Sequence, residues 1–428
     1  MISPQFSLRL LLMGWFLLAA LTPGWSHPMP SSAVLLHLHN RGINAQLYLP
    51  IIELKLGWNK PLPMDAVKTV QQYGSELKGY VKQHVRPVAP DGRPWTVTIN
   101  KVSPIVEQTP DVLVDLTMTP PPAAPADKLT FNYDVIFHQL ITHTAIVSIA
   151  SDWHNGQLDG QPTLLGTMRD TAPSLIIDRS QGSWARGFMG VFRLGMRHIA
   201  EGTDHLLFLL ALLLPAPLLV AGNRWGGYAG GKTALWRIVK IATAFTVGHS
   251  ITLIFGAIGW VHLPSALIES AIALSIFISA VHALIPIFRG KEIFIAGGFG
   301  LVHGLAFAST LTEFGFDPFI MISSVFAFNI GIEVVQVLVI GLTMPWLVLL
   351  SRTRLYPTLR VIGASLTGVA AAAWFFERAF GWANPIGPVV ESAASHAHWL
   401  IIGLAILSIA ATLIPKARLE QPHLPEYQ

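Results

Sequence analysis

The sequence contains no cysteine and few charged residues. None of the 428 residues is Cys, and only 12% are Asp, Glu, Lys or Arg. The absence of cysteine excludes disulfide bonds, thiolate metal ligands and haem attached through cysteine. Soluble globular proteins carry about 25% charged residues, so this lower content indicates that lipid is part of the protein's solvent. The formal net charge of +4 is small and predicts no nucleic-acid partner.

Histidine and apolar residues are abundant instead. There are 16 histidines, and 52% of the residues are hydrophobic. Charged residues are spread through 40–180 and become scarce after 186, so the length fits one ordinary soluble domain and one membrane domain. Many histidines without cysteine favour imidazole and carboxylate ligands for any bound metal ion.

The N-terminus is typical of a secretory signal peptide at 1–26. Arg9 precedes an apolar run at 10–21, and the small residues Gly24 and Ser26 come before the expected cleavage point. The run is short for a membrane span, although an uncleaved anchor is the alternative. Cleavage after Ser26 would make His27 the N-terminal residue, where its amino group and imidazole could chelate Cu(II) or Ni(II). The simpler hypothesis is that His27 is only the residue that follows the cleavage point and binds no metal ion.

Residues 27–180 are expected to form a β-rich, sandwich-like domain. Short apolar runs at 34–39 and 43–49 flank an Asn-Arg-Gly turn, which predicts a hairpin. Further strands are expected at 95–100, 111–117, 129–137 and 143–150, with one helix at 68–84. The pattern of short strands is typical of a sandwich.

Histidines in this domain suggest a surface that captures metal ions. His37 and His39 are expected on one strand face, because side chains alternate along a strand. His138 and His143 lie close together in the sequence and could contribute. The alternative is that they are ordinary strand histidines. No catalytic constellation is visible in this domain.

From residue 186 onward, long apolar runs predict a transmembrane domain at 186–418. We expect a bundle of about seven helices with a cytoplasmic tail at 419–428, and an interfacial helix at 186–201 ahead of the first span. The predicted spans lie near 202–220, 239–259, 265–288, 293–311, 319–349, 358–380 and 396–415.

The charges in the loops predict the orientation. Basic residues cluster in alternate loops and in the tail, whereas the other loops hold Glu313, Asp317 and Glu391, with Arg378 as their single basic residue. Cytoplasmic loops are enriched in Lys and Arg. The chain is therefore expected in the bacterial inner membrane, with its N-terminal domain in the periplasm and its C-terminus in the cytoplasm.

Several ionisable residues interrupt the apolar spans. Such residues are costly in a bilayer and usually face a cavity or a partner. His198, Glu201 and His205 have the spacing of one helix face, and Asp204 flanks it. The later spans supply His249, Glu269, His282, a glycine-flanked His303, and the set Asn329, Glu333 and Gln336. These groups could simply hold the helices together, but their number favours a site for a borderline cation such as Ni²⁺, Co²⁺ or Zn²⁺.

The segment from His198 to Phe208 resembles the His-x5-Asp-His signature of the HupE/UreJ family of bacterial membrane proteins. Similar support comes from Phe-Thr-Val-Gly-His-Ser at 245–250, Phe-Gly-x-x-His-Gly at 299–304 and Phe-Asn-x-Gly-x-Glu at 328–333. The resemblance implies uptake of nickel, or of cobalt, with His198, Asp204 and His205 as the essential metal-handling set and His303 next. Compact family members look to have a second His and an acid where this chain has Phe307 and Thr310, and they lack the large soluble domain.

Three functions follow from these features. The first is a secondary permease for a divalent metal ion, nickel before cobalt, zinc or copper, using His198, Asp204, His205, His249, His303 and Glu333. Glu201, Glu269, His282, Asn329 and Gln336 would support that path, and no ATP-binding phosphate loop is present. The second is an intramembrane zinc-type hydrolase with Ser250 beside His249. The third is a non-catalytic assembly subunit. The permease is preferred, so no enzymatic activity is expected.

The expected partners are the lipid bilayer and a periplasmic protein or metal carrier. The oligomeric state is left open.

Overall fold

The structure, a computed structural model, describes residues 31–106, 110–158, 160–261, 263–313 and 317–414, with only the backbone at 308–313. The expected signal peptide at 1–26, the metal ligand proposed at His27 and the tail at 419–428 lie outside these residues.

The N-terminal part is rich in β-structure, as predicted. The strands are β1 Ser32–His39, β2 Gly42–Pro50, β3 Val85–Val88, β4 Thr96–Val106, β5 Pro110–Thr119, β6 Lys128–Tyr133, β7 Ala145–Asp152, β8 Thr163–Met168 and β9 Ser174–Asp178. They form a six-stranded sheet of order β4-β5-β2-β1-β7-β8, in which β1 and β7 pair in parallel and the other described pairs are antiparallel, and a three-stranded sheet of order β3-β6-β9.

Both sheets share one hydrophobic core with two helices, α1 (Ile51–Gly57) and α2 (Ala66–His84). Every second residue of β1 is buried, because alternate side chains of a strand point to opposite faces. Helix α2 starts where the Asp65 side chain accepts a 3.0 Å hydrogen bond from the Lys68 N–H. Leu36 and Leu47 of the larger sheet, Phe131 of the smaller sheet and Leu77 of α2 belong to this core.

The C-terminal part is helical. Its helices are α3 Trp184–Glu201, α4 Thr203–Leu213, α5 Gly231–Ala257, α6 Ser265–Leu284, α7 Glu292–Glu313, α8 Pro318–Leu350, α9 Tyr356–Phe380, α10 Gly387–Ser395 and α11 Ala397–Leu413. A short hairpin of β10 (Leu218–Ala221) and β11 (Arg224–Tyr228) lies between α4 and α5.

Four of these helices, α5, α6, α8 and α9, are long and apolar enough to cross a membrane. A fifth candidate arises if α10 and α11, which meet at 70°, count as one bent span. Seven spans are therefore not confirmed. The segment 202–220 is not one long helix, because α4 has only 11 residues and the hairpin follows it.

Glycines bring the helix backbones unusually close. A Cβ atom at Gly300 would lie 2.1 Å from the Phe245 carbonyl oxygen, and one at Gly304 would lie 2.2 Å from the His249 carbonyl oxygen. A Cβ atom at Gly195 of α3 would likewise lie 2.1 Å from the carbonyl oxygen of Phe328 in α8. The prediction that glycines near His303 permit close helix packing is thus confirmed, and α5 lies against α7 as α3 lies against α8.

The β-rich part is joined to the start of α8. Trp153 and Asn40 make the connection through hydrogen bonds to Ser324 and Asp317. Helix α8 then runs for 33 residues, about 50 Å, to the end of the helical part where Arg352 meets Tyr228 of the hairpin. The hairpin therefore marks the end that is remote from the β-rich part.

Candidate metal centre

A break between α3 and α4 brings two histidines together. Helix α3 ends at Glu201, and Gly202 has an extended conformation (φ −74°, ψ 96°) before α4 begins. The rings of His198 and His205 consequently lie with their centroids 4.7 Å apart. The expectation that His198, Glu201 and His205 share one face of a continuous helix is wrong, because the helix is interrupted between them.

Two further helices complete a cluster of four histidines. His249 of α5 lies 6.2 Å from His198 and 6.4 Å from His205, measured between ring centroids. His303 of α7 lies 5.3 Å from His205. His205, His249 and His303 are buried, the last two at most 1% exposed, and His198 is partly buried. The predicted histidines of three separate segments therefore converge on one buried position.

Hydrogen bonds set the tautomer of His205. The carboxylate of Asp204 can only accept, so the 3.0 Å contact with Nδ1 of His205 is donated by the ring. Nε2 of His205 then carries a lone pair, and it has no hydrogen-bond partner among the described residues. An imidazole held by a carboxylate in this way is the usual arrangement of a metal-binding histidine.

His303 is oriented by a serine that the sequence analysis did not identify. The Ser275 hydroxyl donates its proton to the Ile272 carbonyl at 2.7 Å, so its oxygen accepts from Nε2 of His303 at 2.9 Å. The lone pair of His303 is therefore on Nδ1, which is buried and meets no partner in the described part of the chain. Nothing in the sequence pairs Ser275 with His303, because they lie on different helices.

The donor set fits a transition-metal ion. Ligand atoms of His198, His205 and His249 lie within 4.8 Å of one another, and so do those of Asp204, His205 and His303. Imidazole nitrogens bind Zn²⁺ at about 2.0–2.1 Å, so two nitrogens on one ion are at most about 4 Å apart and small side-chain movements suffice. Neither nitrogen of His249 meets a hydrogen-bond partner among the described residues, although the Asn329 amide lies near. Buried polar atoms are normally paired, so these unpaired nitrogens point to a ligand.

Phenylalanine rings surround the cluster. Phe307 and Phe328 stack on each other at 4.4 Å and lie 5.0 and 5.3 Å from His198. Phe245 and Phe208 lie 5.0 and 5.5 Å from His303. Phe307 thus occupies space beside His198 at the position where compact relatives are expected to carry a histidine.

Three predicted polar residues of α8 lie along α5. Asn329 lies near His249, and the Gln336 amide oxygen accepts a 3.1 Å hydrogen bond from Thr246. Glu333 accepts a 2.7 Å hydrogen bond from Thr243, while its other oxygen is buried without a partner among the described residues. Together with Thr243 and Thr246 of α5, these residues form a polar surface that leads away from the histidine cluster.

The remaining supporting residues lie elsewhere. Glu201 is exposed and faces Arg197 at 3.8 Å, and Glu269 faces Arg378 at 3.7 Å. His282 packs between Trp225 and Phe288 near the hairpin. None of the three belongs to the histidine cluster formed by the described residues.

The histidines proposed for metal capture in the β-rich part do not form a cluster. His37 and His39 share the face of β1 that points away from the core, as predicted. His37 lies 3.0 Å from the Ser151 hydroxyl, and among the described residues neither histidine belongs to a group of three metal-ligating side chains. His143 is buried between Ser32 and Glu53 and cannot contribute to a surface. His138 instead stacks on His84 at 4.0 Å.

Comparison with known proteins agrees with the sequence motifs. Residues 174–378 match the family model described as "HupE / UreJ protein". A search of curated proteins found no matching relative. The matched segment runs from β9 to the last turns of α9 and contains every residue of the histidine cluster. The helical part of this chain up to residue 378 is therefore similar to the HupE/UreJ family, as its motifs predicted.

Proposed function

We propose that the chain is a membrane permease for a divalent transition-metal ion of the nickel or cobalt type. The observation that carries this proposal is the convergence of Asp204 and four imidazoles, three of them buried, with nitrogens on His205, His249 and His303 that meet no hydrogen-bond partner among the described residues. The family is associated with nickel and cobalt transport, which agrees with this donor set.

The chemistry of the cluster favours a borderline cation as cargo. Neutral imidazole suits Ni²⁺, Co²⁺, Zn²⁺ and Cu²⁺, whereas Mg²⁺ and Ca²⁺ prefer oxygen ligands. Among the described residues the cluster holds one carboxylate, and the chain has no cysteine, so an ion would be held without the very tight binding that thiolates give. Nickel is the proposed cargo, since the resemblance and the donor set agree on it.

We propose an inner-membrane arrangement with seven spans, in which α4 and α7 complete the bundle with the five candidates. The β-rich part would lie in the periplasm after removal of the signal peptide, and the hairpin would lie in the cytoplasm. The basic residues Arg224, Arg289 and Arg352 lie at the hairpin end, which supports this orientation. A periplasmic metal carrier or other protein would then meet the β-rich part.

The proposed path continues from His249 along α8. Asn329, Glu333 and Gln336 form a polar surface with Thr243 and Thr246. The Glu333 oxygen that meets no partner in the described part of the chain would complete the coordination of a moving ion. We propose no enzymatic activity for this chain.

The test is nickel uptake by the full-length chain in proteoliposomes, together with metal content of the purified protein. The His198→Ala/His205→Ala double variant removes the pair at the helix break, and His398→Asn, at an exposed position remote from the cluster in sequence, is the matched control. Saturable uptake that is lost in the double variant and kept in the control supports the permease. Bound metal without uptake would favour a metallohydrolase, and neither metal nor uptake would favour an assembly subunit.

A further inference from the structure

A second polar position lies near the hairpin end of the helical part. A small cavity of about 10 Å³ is lined by Ser279 and His282 of α6 and by Glu292 of α7, together with Leu212, Phe288 and Phe299. This volume is near the minimum for one water molecule. It is far too small for a hydrated divalent cation, but it suits a dehydrated ion held directly by side chains.

The buried face of α6 connects this cavity with the histidine cluster. Ser275, Ser279 and His282 have the spacing i, i+4 and i+7, so they share one helix face, and each is at most 3% exposed. Ser275 contacts His303 at one end of this face, and His282 lines the cavity at the other. An ionisable residue such as His282 is rare in a membrane span and usually faces a cavity or a partner, so its place on this face with the two serines indicates a polar path.

His282 presents a nitrogen lone pair at the cavity. Its Nδ1 accepts a hydrogen bond from the backbone N–H of Phe288 at 3.3 Å, which is long for such a bond. Trp225 donates to the His282 carbonyl at 3.0 Å and packs against the ring at 5.3 Å. The ring is thus held in place while its lone pair is engaged only weakly, so a cation could replace the Phe288 N–H.

On the side of the cavity that faces the hairpin, Arg237 occupies the carboxylate of Glu292. Arg237 of α5 forms an ion pair with Glu292 and lies 5.7 Å over the Trp225 ring. The hairpin is fixed by Arg289, which donates to Asn223, and by Arg352, which lies 4.8 Å over Tyr228. In this arrangement the Glu292 carboxylate is neutralised by Arg237, and an arriving cation competes with the guanidinium for it.

We propose that His282 and Glu292, with the Ser279 hydroxyl, form a second binding position for the transported divalent cation at the hairpin end. When no cation is present, Arg237 forms an ion pair with Glu292. An arriving cation displaces Arg237 from the Glu292 carboxylate before the cation leaves the protein at the hairpin end. This inference rests on the proposed function, because it concerns the exit of the same cargo.

The test is the number of Ni²⁺ ions bound by the purified full-length chain in detergent, measured by equilibrium dialysis. We expect two equivalents for the wild type and one for His282→Gln and for Glu292→Gln. His249→Asn should lose the other equivalent. Arg237→Met removes the competing cation and should tighten the second equivalent about tenfold, whereas His398→Asn should bind as the wild type does.

The two proposals fail in different ways. A wild type with one equivalent, or two equivalents retained in both His282→Gln and Glu292→Gln, overturns the second position and leaves the central site intact. Absence of bound Ni²⁺ from the wild type overturns the proposed function as well. Thermal unfolding of each variant identifies a variant that has lost its fold, and Glu292→Gln, which can still accept from Arg237, tests the position independently of His282.

Discussion

The indole N–H of Trp153 donates a 3.0 Å hydrogen bond to the hydroxyl of Ser324, and both residues are buried at 2% exposure or less. This contact joins the β-rich part to the helix that carries Phe328 and Asn329. The Trp153 ring also packs directly on Gly187 of α3, which leaves no room for a Cβ atom there. The β-rich part is therefore docked on the two helices, α3 and α8, that border the histidine cluster.

Replacing Trp153 should loosen this docking. Trp153→Ala removes a large buried side chain and leaves Ser324 without its donor, so we expect a loss of about 3–5 kcal/mol in the free energy of unfolding. Thermal or denaturant unfolding of the purified chain measures it. Trp399→Ala, at a position 61% exposed, is the control and should change stability much less. Equal effects of the two substitutions would contradict the docking role.

Ser275→Ala should weaken metal binding without removing a ligand. The variant frees Nε2 of His303 and no longer fixes the tautomer that leaves Nδ1 unprotonated. Loss of such an orienting partner typically lowers metal affinity by about 10–100-fold. Titration of the purified protein with Ni²⁺ provides the measurement, and Ser395→Ala, at an exposed serine, is the control. An unchanged affinity in Ser275→Ala would show that His303 is oriented by other contacts.

Phe307→His should add a ligand. The Phe307 ring lies 5.0 Å from His198, so an imidazole there would stand beside the cluster and could bind the same ion as His198. We expect about tenfold tighter binding of Ni²⁺, since each extra imidazole adds a donor of the type these ions prefer. Phe307→Leu keeps the site apolar and should not tighten binding. If both variants bind alike, the position does not face the ion.

Gly304→Ala should destabilise the contact between α5 and α7. The new Cβ atom would lie 2.2 Å from the His249 carbonyl oxygen, so the helices must separate. Overpacking of this kind costs about 1–3 kcal/mol. Gly298→Ala on the same helix has nothing within 4 Å and should be neutral or slightly stabilising, because alanine favours helix over glycine. Unfolding in detergent, compared between these variants, checks the prediction; equal stability would contradict the close approach.

Stability of the β-rich part should depend on pH through His143. Burial lowers the pKa of His143 to about 4, from 6.5. The unfolded chain therefore binds a proton that the folded chain does not, and stability falls as the pH drops from about 6.5 towards 4, by up to about 1.4 kcal/mol per pH unit. Burial raises the pKa of Glu53, which acts in the opposite direction, so the wild-type slope is the difference of the two effects.

The His143→Gln variant isolates this contribution. Glutamine cannot take up the proton but can still hydrogen bond to Ser32, so stability of the variant should fall less than that of the wild type between pH 7 and pH 5. Melting temperatures at several pH values provide the comparison, with His398→Asn as the control. Parallel curves for His143→Gln and wild type would contradict the prediction.

Local patterns in the sequence are sufficient for much of the secondary structure. The hairpin around Asn40, helix α2 and the long apolar helices α5, α6, α8 and α9 all follow from residues close together in the chain. The periodicity of apolar residues and the residues of a turn extend over only a few positions of the sequence. Helices, strands and hairpins can therefore be recognised without knowing the fold. The first predicted span, 202–220, shows where hydropathy alone fails, because Pro215 and Pro217 follow the end of α4 inside the apolar run and the hairpin comes next.

The sequence by itself determined that this protein is a membrane protein with a β-rich N-terminal part, and that its candidate metal ligands are mainly imidazoles. It also singled out His198, Asp204, His205, His249 and His303 by their type and their apolar surroundings. Only the tertiary structure decided which of the polar residues meet. Glu201 and Glu269 turn towards Arg197 and Arg378, while Ser275, which carries no distinguishing pattern, fixes His303. The physical reason is that coordination depends on distances between helices, and those distances are set by glycine contacts such as Gly304 against His249, across 55 residues of chain.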